Sequence, residues 1–176
     1  MYKAGSFLVM VVSLSTLRIL LVDSDEGARR VVSSAIKQAG ASVVLMAQSI
    51  EQAEQLFNEE VPDIVVASWD LPPSSGLELT RTLRKAKSPY PAVPIVLMMS
   101  ETSTAQVAEA RDVGVTDYLF RPFSTKNISV RLTHMINNQR PFIVCETYRG
   151  PDRRQMKAEN YQGPLRREGD GWMVDV

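Results

Sequence analysis

Residues 18–40 read RILLVDSDEGARRVVSSAIKQAG, and this stretch decides the fold. It opens with a strand, Arg18–Val22, apolar after its first residue. Acids follow at once in Asp23-Ser24-Asp25. Residues 26–39 then place Ala28, Val32, Ala35, Ile36 and Ala39 at steps of 4, 3, 1 and 3, which is a helical period. Gly40 stands where a C′ glycine ends a helix. A strand with no polar face, joined by a short turn to an amphipathic helix, belongs to a parallel sheet covered on both sides.

Working outward, the same unit recurs. Ser42–Ala47 is a second strand, and Ser49 with Gln52 forms a capping box opening a helix to about Glu60. Asp63–Ser68 is the third strand, followed by a helix over Gly76–Ala86 with Leu77, Thr80 and Leu83 inward. Pro94–Ser100 is the fourth, and Ser103 with Gln106 caps a helix to about Val113. Asp117–Phe120 is a short fifth strand. Ser124 caps a last helix with Ile128, Leu132, Met135 and Ile136 on one face. Five β-α units predict an α/β fold with a doubly wound parallel sheet. Residues 17–140 form this domain, 1–16 an N-terminal extension and 141–176 an irregular C-terminal tail.

Composition agrees with a globular domain: 44% hydrophobic and 23% charged over 176 residues. Twenty basic residues balance twenty acidic ones, which argues against nucleic-acid binding by bulk electrostatics. The lone Cys145 cannot form an internal disulfide and fits a reducing cytoplasm. Phe7–Leu14 (FLVMVVSL) resembles a short signal-peptide core but is too short to span a bilayer. With no small-residue cleavage pattern before RILLVD, it reads as an extra N-terminal element or a mis-set start.

In a doubly wound sheet, function lies outside the carboxyl ends of the strands, near a topological switch point. The residues there are Asp23-Ser24-Asp25, Ser68 with Asp70, Met99-Ser100, and Arg121-Pro122. Four segments, ILLVDSDEGARR, DIVVASWDLPPSSGLEL, PIVLMMS and GVTDYLFRPFS, carry them in order. Over about Leu17 to Gln139 the chain resembles the receiver domain of bacterial two-component response regulators. The resemblance implies a flavodoxin-like (βα)5 sheet with strand order 2-1-3-4-5.

In that family an acidic pair after the first strand binds Mg²⁺. An Asp ending the third strand takes a phosphoryl group from a histidine kinase. A Thr or Ser at the fourth strand and a Lys after the fifth contact the phosphate. Here Asp23 keeps the first acid and Ser24 replaces the second. Ser68 stands for the phosphoacceptor Asp, Met99 for the Thr or Ser, and Arg121 for the Lys. Tyr118 keeps the aromatic that commonly switches rotamer on activation.

Three of these four replacements act in a disabling direction. Phosphotransfer from histidine needs an ionised carboxylate nucleophile, and a serine hydroxyl is not ionised at neutral pH. Mg²⁺ wants hard oxygen ligands, mostly carboxylates, and Ser24 and Ser68 remove two of them. Met99 offers phosphate no strong hydrogen bond, while Arg121 keeps the charge on a larger planar head. The expectation is a stand-alone pseudo-receiver in two-component or phosphorelay signalling. It is expected to be no enzyme, to use no cofactor, and to work by phosphorylation-independent protein–protein interaction. Kinase or regulator components, or a homodimer, are the expected partners.

Two other readings remain. Asp70, two residues past Ser68, is an alternative phosphoacceptor, with Asp23, Asp25 and Asp70 as residual metal candidates. A flavodoxin-like FMN binder shares the strand order, but DSDEGARR puts acids where a phosphate loop would lie. Met98 and Met99 read first as core fillers, His134 as an exposed or boundary histidine, and Trp69 as a cover for the third strand's end.

The tail repeats itself. Tyr148-Arg149-Gly150-Pro151-Asp152-Arg153-Arg154 and Tyr161-Gln162-Gly163-Pro164-Leu165-Arg166-Arg167 share Y-x-G-P-x-R-R at a spacing of 13 residues. Six basic and six acidic residues rule out a polybasic arm. Tyr and Arg are favoured at interfaces. Tyr148, Arg153, Arg154, Tyr161, Arg166 and Arg167 are therefore candidate docking residues, on a tail expected to contribute little to stability.

Overall fold

The central strands, which have no polar face, are covered on both sides, while Val43, Met46 and Phe120 on the edge strands stay exposed. In the computed structural model, which describes residues 13–85, 88–100, 103–153 and the backbone of 173–174, five strands form one parallel sheet. They are β1 (Arg18–Val22), β2 (Val43–Ala47), β3 (Ile64–Ser68), β6 (Ile95–Met99) and β7 (Asp117–Phe120), in the order β2-β1-β3-β6-β7. This is the expected 2-1-3-4-5 order, counting the long strands only.

Alternate residues divide the core. Leu20, Val22, Val65, Ala67, Ile95 and Leu97 face one side, where helices α2 (Ile50–Glu60), α3 (Gly76–Leu83) and α4 (Thr104–Asp112) supply Phe57, Leu79 and Ala110. Ile19, Leu21, Ile64, Val66, Val96 and Met98 face the other, where α1 (Glu26–Gln38) and α5 (Thr125–Asn137) supply Ile36, Ile128 and Leu132. Met98 and Met99 fall on opposite faces, each about 1% exposed, so both fill core.

Helix ends follow their caps. Ser103 and Gln106 make the full capping box. At α2, Ser49 accepts the Gln52 N–H, but the Gln52 side chain accepts from Gln48 N–H, one residue outside the box. Gly40 and Gly114 have φ of +115° and +93°. Ala41 N–H bonds Ile36 C=O and Val115 N–H bonds Ala110 C=O, so α1 and α4 both end in Schellman motifs. Gly40 is the C′ residue read from the sequence.

Two features were not legible beforehand. The third strand continues into a two-residue hairpin, β4 (Asp70–Leu71) with β5 (Ser74–Ser75), whose Pro72-Pro73 peptide is cis. The tail is also not irregular throughout. β8 (Phe142–Val144) pairs antiparallel with β9 (Arg149–Pro151) on one side and β10 (Met173–Val174) on the other. Phe142 and Tyr148 are buried, so the core is not complete at Gln139. Phe142 lies over the buried Arg84 guanidinium, which is 5.3 Å from the ring centroid. Among the described residues, no helix is long and apolar enough to cross a membrane.

Candidate functional site

The crevice forms where β1 and β3 lie side by side and their following loops part, the switch point of the strand order. Asp23 leaves β1 there and is buried, with its backbone N–H held by Ala47 C=O at 3.1 Å. Its Oδ1 accepts Asp25 N–H at 3.0 Å. Its Oδ2 accepts from the Arg121 guanidinium at 2.6 Å. The Arg121-Pro122 peptide is cis. A buried carboxylate needs a cation or several donors, and Arg121 reaches across the loop ends to supply one.

A second base arrives from a position that sequence reasoning missed. Arg29, in the first turn of α1, turns back so that its guanidinium donates to Asp23 C=O at 2.6 Å and Ser24 C=O at 3.1 Å. The signal was present. A base in a helix's first turn opposes the helix dipole, and something nearby has to compensate it. The loop thus meets two guanidinium groups, Arg121 on the Asp23 carboxylate and Arg29 on two backbone carbonyls.

The other expected positions separate. Ser24 is exposed. Ser68 ends β3, 6% exposed, and its carbonyl lies against Gly76, where a Cβ would stand 2.3 Å from the oxygen. Gly76 N–H bonds Trp69 C=O at 2.9 Å, so the hairpin folds tightly back on the strand end. Trp69 is partly buried against the core face shared with α2 and α3. Asp25 is the N-cap of α1, accepting Ala28 N–H at 2.5 Å. Asp70 is exposed and pairs through its backbone with Ser75. Met99 turns into the core.

The residual metal candidates Asp23, Asp25 and Asp70 are therefore not gathered. Among the described residues, no group of three His, Cys, Asp or Glu could hold a metal ion. The donor set does not fit a divalent ion. The buried Asp23 carboxylate already holds Arg121, Asp25 is spent capping α1, and Ser24 and Ser68 offer only hydroxyls.

Tyr118 is half-buried on β7. Its hydroxyl donates to Val107 C=O of α4 at 3.3 Å, and its ring stacks on Phe120 at 6.3 Å. Burial pushes its phenol above the ordinary value. Of the tail candidates, Tyr148 and Arg153 dock on the domain, while Arg154, Tyr161, Arg166 and Arg167 lie outside the described residues. His134 is exposed, as read, at the C-terminal turn of α5.

Fold and crevice together define a class: a flavodoxin-like α/β domain with a loop-end crevice over β1 and β3. The chain belongs to the response regulator receiver domain family, whose model matches residues 19–133. It is 28% identical over 123 residues to the phosphate regulon transcriptional regulatory protein PhoB of Pseudomonas aeruginosa, covering 70% of this chain and 53% of that protein. It is 27% identical over 121 residues to a chemotaxis protein CheY homolog of Campylobacter jejuni, covering 68% of this chain and 92% of that one. Chemotaxis response regulator CheY4 of Vibrio cholerae superposes with a TM-score of 0.61 at 26% identity, over 67% of this chain and 97% of its own. The chain thus spans about half the length of PhoB and nearly all of the CheY homolog.

Proposed function

We propose that this receiver domain is a pseudo-receiver, which signals by binding other proteins and not by carrying a phosphoryl group. The observation that carries the reading is the buried Asp23–Arg121 ion pair beside Ser68. In the family, the first acid shares a metal that bridges to the phosphoacceptor. Here a guanidinium stands as a built-in cation on that acid, and a hydroxyl stands at the acceptor position. The crevice is charge-balanced without a metal or a phosphate. Binding either would first have to break a short, mostly buried ion pair.

On this reading the chain is not an enzyme and needs no cofactor. Its partners are other components of two-component signalling, histidine kinases or regulators, in the cytoplasm. Asp70 as an atypical acceptor is the reading it displaces, since that carboxylate is exposed on a hairpin and, among the described residues, forms no ion pair.

The test is intact-mass spectrometry after incubation with acetyl phosphate and Mg²⁺. No phosphate adduct is expected. A stable single-phosphate adduct that disappears in Asp70→Asn would overturn the proposal.

A further inference from the structure

At the end of the sheet opposite the crevice, the chain closes on itself. Tyr148 is buried, and its hydroxyl donates to Pro151 C=O at 2.8 Å. Gly150 lies against Gly114, where a Cβ on Gly150 would stand 2.6 Å from Gly114 Cα. A Cβ on Gly114 would stand 2.4 Å from Arg149 C=O. Two glycines face each other because neither backbone leaves room for a side chain. Arg153 lays its guanidinium 3.8 Å over the Tyr148 ring and donates to Asp112 Oδ1 at 2.5 Å.

The segment meets the domain at the C-terminal end of α4 and at the loop after it. Asp112 is the last residue of that helix, where an acid opposes the helix dipole. Arg153 supplies the missing positive charge. Gly114 is the C′ residue of the Schellman motif that ends α4, and its carbonyl accepts from buried Arg84 Nε at 3.1 Å. Arg84 also donates to Pro91 C=O at 2.5 Å and Val93 C=O at 2.7 Å, and Phe142 covers it at 5.3 Å. Arg140 adds a bond to Thr116 C=O at 2.6 Å, where the chain enters β7. At its other end α4 holds Tyr118 through Val107 C=O.

We propose that residues 141–153 form an intramolecular clasp that sets the position of α4 and, through α4, the inward placement of Tyr118. The order of the α4–β7 face then depends on whether the clasp is docked, not on what occupies the Asp23 crevice. A partner that takes Asp112 or pulls the segment away releases this face. The first Y-x-G-P-x-R copy gains a physical meaning: the ring seats, the glycine permits backbone approach, the proline carbonyl receives the phenol, and the arginine seals the ring against α4. The inference does not rest on phosphate chemistry and stands or falls separately from it.

Hydrogen–deuterium exchange on the full chain tests it. Arg153→Asp places two acids together at the end of α4. It is expected to raise exchange at least fivefold in residues 104–120 while leaving 26–60 unchanged. The charge-swapped double variant Asp112→Arg with Arg153→Asp is expected to restore protection. Tyr148→Phe, which removes only the hydroxyl, is expected to loosen the same residues less. The ¹⁹F resonance of fluorotyrosine at position 118, identified by its loss in Tyr118→Phe, is expected to move in Arg153→Asp and return in the double variant. Unchanged exchange in 104–120 overturns the clasp. A rise spread equally over 26–60 also overturns it, because the segment is then general core. Failure of the double variant to restore either signal removes the Asp112–Arg153 pair from the device and overturns it as stated.

Discussion

The Asp23 carboxylate shows what a single replaced residue does to its neighbours. Only 4% of its side chain is exposed, while a third of Arg121 still reaches water. Arg121→Ala would leave a buried charge with one backbone donor. A cost of about 1–3 kcal/mol is expected, below that of a wholly buried pair because water enters where Arg121 was. Urea denaturation measures it, and Arg121→Lys should recover part of the loss. Metal affinity follows from the same residues. Millimolar Mg²⁺ should stabilise the natural chain by less than about 0.5 kcal/mol, since the ion is near or below its dissociation constant. Ser24→Asp with Ser68→Asp should enlarge that shift in a thermal melt. If the natural chain already shows a clear Mg²⁺ shift that Asp23→Asn abolishes, Arg121 does not block the crevice.

Among the elements, the two Schellman glycines make an internal comparison. Gly40 and Gly114 both have positive φ, but a Cβ on Gly40 meets nothing within 4 Å. Gly40→Ala should cost about 1–2 kcal/mol of backbone strain alone. Gly114→Ala adds a collision with Arg149 C=O, so about 3 kcal/mol or more is expected, with the segment after Gln139 lifted from α4. Equal losses in parallel denaturation curves would show that the segment yields freely. Arg84 belongs to the same element-level logic. Burial lowers its pKa to about 9, yet it stays charged at neutral pH through bonds to backbone carbonyls.

For the whole molecule, the segment after Gln139 changes what truncation does. Deleting 141–176 removes the buried Phe142 and Tyr148 and opens Arg84 to water. A loss of about 3–5 kcal/mol is expected, the range for a deleted buried aromatic, in place of the modest change read from the tail's composition. Circular dichroism melts of the two lengths compare them. Burial also raises the Tyr118 and Tyr148 phenols above their ordinary value of 10.0. The folded state therefore holds those protons when the unfolded chain has released them. The stability they confer is full below pH 10 and declines as pH rises toward the folded values. Denaturant midpoints falling above pH 10, less steeply in Tyr148→Phe, are the expected result.

By itself the sequence determined the strands, the helix starts at Ser49, Ser103 and Ser124, and, through the family its motifs resemble, the strand order and the loop-end positions. Those depend on local period, on cap and turn chemistry, and on four motifs whose order is visible in one dimension. Gly40 as a helix stop and Met98 and Met99 as core were legible for that reason. The tertiary structure alone decided which charges meet. Arg121 and Asp23 are 98 residues apart and touch only because two strand ends converge. Arg29 could be suspected from the helix dipole but not aimed. The repeat marked Tyr148 and Arg153 as docking residues, but a tail poor in aliphatics shows no core period to say where they dock. Tyr148 and Gly150 are buried and Arg153 partly so because Gly114, Asp112 and Arg84, far away in the chain, form a notch that the motif fills. Spacing along a chain carries no information about a partner that only folding brings near.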